Sequence, residues 1–370
     1  SIMIAEADLE HALNFAKEAI DKIPQNPCCA FISKQIATLK EDWSNAAMAA
    51  RSAGGLFKEP EHAVLELLSA AEIYRDKIGE TGWALQCFEQ VLAIEPRNDR
   101  AFEGLRTYYT ESASWDRLAA LIESRVVLVE DPGEKLELRY ALTDAYEKAG
   151  RIPEAVTVVT AVADESPEDP RGLKLLADLS ARSGQWENAA AALQQLLTLN
   201  ISDETKVENF MRLGDIYVDQ LPDPDRAIFC YEKVNEHGPM DLEVAEKLAA
   251  LYLKTMKWEK GLQQSQMLFE NSDVPEEQVK WLIMAGTFFE EGAQDMRRAE
   301  KAYETARGLA PTAHEPIVHM IRLYRKKNDT MALNFMLQRS VGDMKVFLAK
   351  NPDEMALYHT IMNVVMEAGD

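Results

Sequence analysis

The segments FMRLGDIY at positions 210–217 and AIFCYEKV at positions 227–234 decide the fold class of this chain. In the first segment, apolar or small side chains recur with the spacing i, i+3, i+4, i+7, which places them on one face of an α-helix. The second segment carries an apolar stripe of the same kind. A short turn rich in proline and aspartate separates the two segments. The pattern predicts two amphipathic helices that form a hairpin.

Two small residues favour a close approach of the helices in this hairpin. Gly214 lies on the apolar face of the first segment and Ala227 on that of the second. Helix axes pack about 8 to 10 Å apart, depending on the side chains at the contact, so small residues favour the shorter distance. A large side chain at either position is expected to push the hairpin open.

Four residue registers repeat along the chain with a period of about 72 residues, which is the signature of a structural array. A tryptophan follows each of the first four prolines at a constant offset, and Thr330 fills the fifth slot. We interpret these tryptophans as packing wedges at the start of second helices, and not as a stacking platform for bases or sugars. The registers are Pro24, Pro96, Pro167, Pro239 and Pro311; Trp43, Trp115, Trp186 and Trp258; Ala12, Ala84, Ala155, Ala227 and Ala299; and Tyr74, Tyr146, Tyr217 and Phe289.

Each unit divides into two helical hairpins, and the loops between hairpins carry helix start signals. Before the helix that begins near Pro275, Asp273 is expected to act as the cap and Glu276 to close a capping box.

The chain resembles the tetratricopeptide repeat (TPR) family, which is built from 34-residue helix-turn-helix repeats. One hairpin meets the family spacing without a gap, at Leu142, Tyr146, Gly150, Ala155, Val159, Val162 and Pro167. The resemblance implies an all-α fold, a right-handed α-α superhelical solenoid of TPR-like hairpins that spans residues 1–370. Nine complete hairpins are expected within residues 25–350, entered near Ala30, Leu67, Phe102, Arg139, Leu173, Phe210, Ala245, Leu282 and Ile317. The paired 72-residue unit also resembles long bacterial TPR arrays, some of which belong to motility and polarity machinery.

The two ends align with half of a hairpin each. Residues 1–24 align with a second helix, and residues 351–370 with a first helix. A solenoid normally ends in a polar cap, so this pattern predicts a segment of a longer array with an exposed apolar end that promotes end-to-end self-association. The alternative is a natural terminus whose last helix acts as the cap.

Composition excludes several classes of function. The 370 residues include 40 basic and 62 acidic side chains, a formal charge of −22, whereas nucleic-acid binding needs a basic face. Apolar runs fall short of a membrane helix, and no signal peptide is visible. Four scattered cysteines do not form a disulfide scaffold, which fits a reducing, cytoplasmic location.

No residue is nominated for catalysis, cofactor binding or metal binding. The sequence contains no phosphate-binding loop, nucleophile elbow or dinucleotide fingerprint. The nearest approach to a metal motif is His314 and His319, which are five residues apart and interrupted by a proline. Cys87 and Cys230 occupy equivalent slots beside the apolar stripe, so we expect them to pack as small hydrophobic side chains. We therefore predict a protein that is not an enzyme.

The resemblance implies a concave groove lined by first helices, which serves as the binding site for a partner. We expect the partner to be a protein or peptide that is mainly basic and has apolar anchors, because the middle of the groove is acidic. The open alternative is that these charges only keep a long solenoid soluble. The first-helix positions expected in the groove are Arg75, Asp76, Tyr140, Asp144, Glu147, Met211, Asp215, Val218, Asp219, Ile283, Thr287, Glu290, Arg322, Arg325 and Lys326.

Three functions are compatible with such an array. The first is a non-catalytic scaffold or adaptor that recruits a partner segment, for example in bacterial motility, polarity or envelope machinery. The second is the regulatory or substrate-recruiting arm of a larger enzyme whose catalytic part lies outside this chain. The third, a helical-repeat RNA binder, requires a basic groove and is disfavoured by the charge. A receptor for acidic chaperone tails is also disfavoured, since Asp144, Asp178 and Asp215 stand where that clamp uses amide or basic groups.

Overall fold

The computed structural model describes residues 18, 22–23, 25–239, 241–353 and 355–369. Within these ranges the regular elements are nineteen α-helices and two π-helical turns, and none is a strand. The all-α fold predicted from the sequence is therefore confirmed. The half-unit predicted at residues 1–24 lies almost entirely outside the described residues, as do Ala12 and Pro24.

The first of two compact units comprises Ser1–Gln185. Within this unit, helices that follow one another along the described chain pack on each other. A π-helical turn, Tyr74–Ile78, continues the third helix. The helices are α1 Pro27–Leu39, α2 Trp43–Leu56, α3 Pro60–Ile73, α4 Thr81–Ile94, α5 Asp99–Glu111, α6 Trp115–Leu128, α7 Pro132–Lys148, α8 Ile152–Glu165 and α9 Pro170–Arg182.

The second unit comprises Trp186–Asp370 and repeats this arrangement of consecutive, packed helices. Its π-helical turn, Phe288–Gly292, follows the helix that begins at Pro275. The helices are α10 Trp186–Thr198, α11 Asp203–Asp219, α12 Pro224–His237, α13 Leu242–Lys254, α14 Trp258–Glu270, α15 Pro275–Thr287, α16 Met296–Leu309, α17 His314–Lys326, α18 Thr330–Lys350 and α19 Met355–Gly369. The prediction that the whole chain forms one solenoid stays a prediction.

Short sequence signals set where the helices begin. Asp131 precedes the proline that starts α7, and its carboxylate accepts a hydrogen bond from the backbone N–H of Glu134 at 2.7 Å. The same signal was expected for α15, but there the prediction was wrong. Val274 occupies the cap position, and no side chain caps the helix. Ser272 instead donates its hydroxyl to Glu277 at 2.6 Å, so the polar groups of this loop satisfy one another.

Two of the predicted registers, the tryptophans and the alanines, lie in the second helices, at their start and at the hairpin seam. The four tryptophans are the first residues of α2, α6, α10 and α14, and Thr330 is the first residue of α18, as the repeat predicted. At the hairpin seam, a Cβ atom added to Gly214 would lie 2.6 Å from the ring of Tyr231. The facing Ala227 is fully buried. The small residues therefore permit the close helix contact that the sequence indicated.

Tyrosine hydroxyls connect successive hairpins. Tyr109 on α5 donates a hydrogen bond to Glu89 on α4 at 3.0 Å, and Tyr252 on α13 donates to Glu232 on α12 at 2.7 Å. Burial, reinforced by the acceptor carboxylate, raises the pKa of Tyr109 to about 12, so the group stays a neutral donor at ordinary pH.

None of the described helices is long and apolar enough to cross a membrane.

Candidate partner-binding groove

A groove of about 900 Å³ in the first unit runs across the first helices of three successive hairpins, α5, α7 and α9. Phe102 of α5, Leu138 and Ala141 of α7, and Leu175 of α9 supply apolar surface to it. Consecutive first helices supply these side chains at equivalent places, because every hairpin presents the same helical face to the same side of the array.

The groove carries a surplus of negative charge. Seven carboxylates and four basic side chains line it, a formal excess of three negative charges. The basic side chains are Arg106, Arg125, Arg171 and Lys174. The carboxylates are Asp99, Glu103, Glu134, Glu137, Asp144, Glu147 and Asp178.

Arg125 enters the groove from the second helix α6 and is not fully paired. Its guanidinium forms an ion pair with Asp99 and lies 5.3 Å from the ring centroid of Phe102. Its Nε and Nη1 atoms are buried and have no hydrogen-bond acceptor among the described residues. A buried donor without an acceptor costs about 1 to 3 kcal/mol, so these N–H groups are the unsatisfied polar element of the groove.

Three of the predicted site residues line this groove. Tyr140 is buried, and its hydroxyl donates a hydrogen bond to Asp169 at 2.6 Å. Burial raises the pKa of Tyr140, and the bond to the carboxylate adds to this shift. Asp144 is exposed and accepts a hydrogen bond from Lys148 at 2.8 Å, whereas Glu147 forms an ion pair with Arg182 on α9.

Arg75 and Asp76 lie apart from the groove, in the π-helical turn after α3. They are exposed and form a two-bond ion pair with each other, at 2.6 Å and 3.0 Å. The hydrogen bond from the guanidinium holds the pKa of Asp76 below its ordinary value. Their charges therefore largely neutralise each other.

In the second unit, Asp215 forms a connection between two hairpins. Its Oδ1 atom accepts hydrogen bonds from the hydroxyl of Tyr231 at 2.6 Å and from Nζ of Lys247 at 2.8 Å. Lys247 belongs to the next first helix, α13. Asp215 thus already has a cation and a phenol as partners, which the sequence did not reveal.

Glu290 has a similar role in the π-helical turn that follows α15. It is buried and accepts hydrogen bonds from Tyr303 at 3.1 Å and from Lys326 at 3.2 Å. Lys326 also lies 3.0 Å from Glu291, and the hydrogen bond to that carboxylate raises the pKa of Lys326. Two predicted site residues, Glu290 and Lys326, are therefore brought together, but as partners of each other.

The remaining predicted residues differ in exposure. Ile283 is buried, and Met211 and Thr287 are half-buried. The exposed members of the set are Val218, Asp219, Arg322 and Arg325.

Opposite charges on successive first helices are the feature that sequence reasoning missed. Arg171 on α9 donates to Glu137 on α7 at 3.2 Å, and Lys280 on α15 donates to Glu246 on α13 at 3.0 Å. Each pair is separated by 34 residues, one hairpin length. Residues of opposite charge 34 positions apart in the sequence were the signal that could have revealed these pairs. Much of the first-helix charge is consequently compensated within the array.

The described residues contain no cluster of three or more histidine, cysteine, aspartate or glutamate side chains that could hold a metal ion. Cys87 and Cys230 are buried, and burial raises the pKa of their thiols to about 11 and about 12. Such thiols stay protonated at ordinary pH and do not act as nucleophiles.

Comparison with known proteins identifies the repeat. Residues 140–204 match the family model described as tetratricopeptide repeat, which confirms for this part of the chain the resemblance that the sequence indicated. No relative among curated proteins matches the sequence.

Solved structures of several repeat proteins are similar to this chain. One is YrrB, described as a TPR protein with an unusual peptide-binding site, with 18% identity, 54% of this chain and 96% of that chain covered, and a TM-score of 0.36. A second is MamA from Desulfovibrio magneticus RS-1, with 17% identity, 50% and 97% coverage and a TM-score of 0.35. A third is a chain of Naa15/Naa10 bound to HypK-THB, with 14% identity and a TM-score of 0.36. The match covers 96% of this chain but only 58% of that one.

Proposed function

We propose that this chain, which carries tetratricopeptide repeats, is a non-catalytic scaffold that binds a segment of a partner protein in the groove of its first unit. The observation that carries the proposal is the excess of carboxylates around an apolar floor in a cavity of about 900 Å³. This volume falls in the range of clefts that bind small ligands, about 300 to 1,000 Å³, so the groove has room for one or a few partner side chains.

The charge of the groove defines the partner's chemistry. Asp144 and Glu103 line the groove from the neighbouring first helices α7 and α5. Each forms an exposed ion pair within its own helix, with Lys148 at 2.8 Å and with Arg106 at 3.1 Å. Exposed pairs of this kind are weak, so a partner's cations can compete for the carboxylates. Lysine or arginine side chains of an extended segment complement these carboxylates, and an apolar side chain between them packs on Phe102 and Leu138. The partner segment is therefore basic with apolar anchors.

Arg125 provides a hydrogen-bonding contact that positions the partner segment in the groove. A main-chain carbonyl oxygen is the acceptor that an extended peptide can offer anywhere along its length. When such an oxygen approaches the unpaired N–H groups of Arg125 after a small movement of the side chain, it removes the cost of leaving them unsatisfied. This contact is independent of the side-chain sequence of the partner and sets its position along the groove.

The experiment is a fluorescence anisotropy titration of the full chain with two labelled peptides that share one apolar pattern, one rich in lysine and one rich in glutamate. The variant Glu103→Lys/Asp144→Lys reverses two groove charges. The matched control Asp164→Lys makes the same kind of change on the exposed face of α8, away from the groove.

We expect the basic peptide to bind, its affinity to fall as salt rises, and the double reversal to weaken it by tenfold or more. The control should leave the affinity unchanged. Equal binding of both peptides, or unchanged binding to the double variant with intact helicity, would refute the proposal.

Other parts of the sequence reading remain proposals of the same kind. In the second unit, the exposed Val218 and Asp219 support a separate binding surface, while Asp215 and Glu290 contribute through the internal pairs described above. A role in bacterial motility, polarity or envelope machinery, a cytoplasmic location and end-to-end self-association stay predictions.

A further inference from the structure

A second groove lies between second helices, whereas the groove of the proposed function runs across first helices. In the second unit, α16 and α18 enclose a cavity of about 570 Å³, and Met320 and Tyr324 of the intervening helix α17 also line it. This surface is distinct from the first-helix groove of the proposed function, and nothing in the sequence pattern pointed to it.

Ion pairs close one end of this groove. Arg307 of α16 is only 2% exposed, and it donates hydrogen bonds to Glu304 at 3.0 Å and 2.8 Å and to Asp343 of α18 at 2.9 Å. Arg339 of α18 donates to the same Glu304 at 2.8 Å. The hydrogen bonds from Arg307 hold the pKa of Glu304 below its ordinary value. The charged side chains at this end of the groove are therefore paired with one another.

The other end is open, cationic and apolar. Arg297 and Lys301 are exposed one helical turn apart on α16, and neither has an ion-pair partner in the part of the chain that the structure describes. Glu300 lies between them but is bound to α17, through Lys327 at 2.7 Å and the hydroxyl of Tyr324 at 2.9 Å. The two cations thus remain available to a ligand.

Two large apolar side chains are exposed on α18, and one of them, Phe335, lines the groove together with the cations. Met331 is 83% exposed and Phe335 is 70% exposed, again one turn apart, on α18. Methionine and phenylalanine are enriched at protein interfaces, and neighbouring exposed apolar side chains are typical of a surface that a partner covers. Cations on one wall and apolar side chains on the other form a two-sided site.

We propose that this α16–α18 surface is a second docking site, which binds an acidic amphipathic helix from a partner protein. Carboxylates of that helix pair with Arg297 and Lys301, while its apolar side chains at i, i+4 and i+7 pack on Phe335 and Met331. Since α16 has 14 residues at 1.5 Å each, the groove accommodates about four turns of a helix. The partner chemistry is opposite in charge to that of the first-unit groove.

A matched control lies three hairpins earlier. Phe229 of α12 is 55% exposed beside a smaller cavity of about 210 Å³ between α10 and α12. The nearby cations Arg226 and Lys233 pair with Asp223 and Glu236. This surface has the aromatic side chain without the available positive charge.

The test uses the full chain and labelled synthetic 18-residue helices with one apolar pattern and either glutamate or lysine on the polar face. We expect the glutamate helix to bind, Arg297→Glu/Lys301→Glu to weaken it by tenfold or more, and Phe335→Ala by fivefold or more. Phe229→Ala should leave the affinity unchanged. Circular dichroism of each variant shows whether the fold is intact.

Three outcomes would overturn the inference. The first is equal binding of the glutamate and lysine helices, and the second is an affinity unaffected by the α16 and α18 variants. The third is a wild-type dimer in sedimentation that Phe335→Ala converts to monomer, which would assign the surface to a second copy of this chain. Binding of the basic peptide to the first-unit groove is measured on the same variants and should not change, so failure here is separable from failure of the proposed function.

Discussion

A buried ion pair between two first helices offers the sharpest test of how the hairpins are held together. Nζ of Lys34 on α1 lies 2.8 Å from Oε1 and 2.7 Å from Oε2 of Glu66 on α3, and Glu66 is 2% exposed. The perturbation is Glu66→Leu, which removes the carboxylate and leaves the ammonium group buried without a counter-ion.

The expected loss in the free energy of unfolding follows from the burial of this ion pair. Removing one partner of a buried pair costs about 3 to 5 kcal/mol, whereas replacing both partners with apolar side chains is often neutral or stabilising. We therefore expect Glu66→Leu to destabilise the protein by about 3 to 5 kcal/mol, and Lys34→Leu/Glu66→Leu to recover most of this loss. The matched control is the Glu246 and Lys280 pair, which also joins successive first helices but whose side chains are 41% and 51% exposed. Glu246→Leu should cost under about 1 kcal/mol.

The assay is urea denaturation combined with hydrogen exchange of peptides from α1 and α3, because a repeat array loses protection near the perturbed interface first. The reasoning would be refuted if Glu66→Leu cost no more than Glu246→Leu. It would also be refuted if the double variant were as unstable as the single one, since the loss would then come from packing and not from the unpaired charge.

Three further outcomes are expected. Gly214→Ala should cost about 1 to 3 kcal/mol in thermal unfolding, because its Cβ would clash with the facing tyrosine ring, whereas Gly308→Ala meets open space and should cost nothing. Ellman's reagent at pH 8 should label the exposed Cys28 but leave Cys87 unmodified until urea is added, because burial raises the latter's pKa to about 11. The folded state lowers the pKa of Glu304, so its stabilising contribution is complete above the ordinary value of 4.5 and is lost as the pH falls through the folded pKa. The stability difference between the native chain and Glu304→Gln should therefore shrink on acidification, measured by urea denaturation at pH 7 and pH 3.

The ion pair of Lys34 and Glu66 shows what cannot be seen when each residue of a sequence is judged alone. Lys34 is only 8% exposed, and a lysine buried in this way would by itself weaken the hairpin. The structure shows that Glu66, 32 residues later, compensates its charge. A single-residue comparison cannot detect this compensation, because the two halves of the pair lie in different repeats.

The sequence by itself determined the helical hairpins, their period and the start of the second helices. These features depend on local patterns: apolar side chains at helical spacing, tryptophan at the first helical position and small residues such as Gly214 at the seam. Because these patterns act within one hairpin, they recur in the sequence of each repeat.

Only the tertiary structure decided which charges remain available for a partner. Asp215 and Glu290 were selected from the sequence as groove carboxylates, but lysines of the next hairpin already bind them. No sequence pattern marked Arg297 and Lys301 as site residues, yet they lack ion-pair partners within the described residues. The physical reason is that the free charge of a surface depends on which side chains from neighbouring repeats come within hydrogen-bond distance, and that distance is set by the packing of one helix on another.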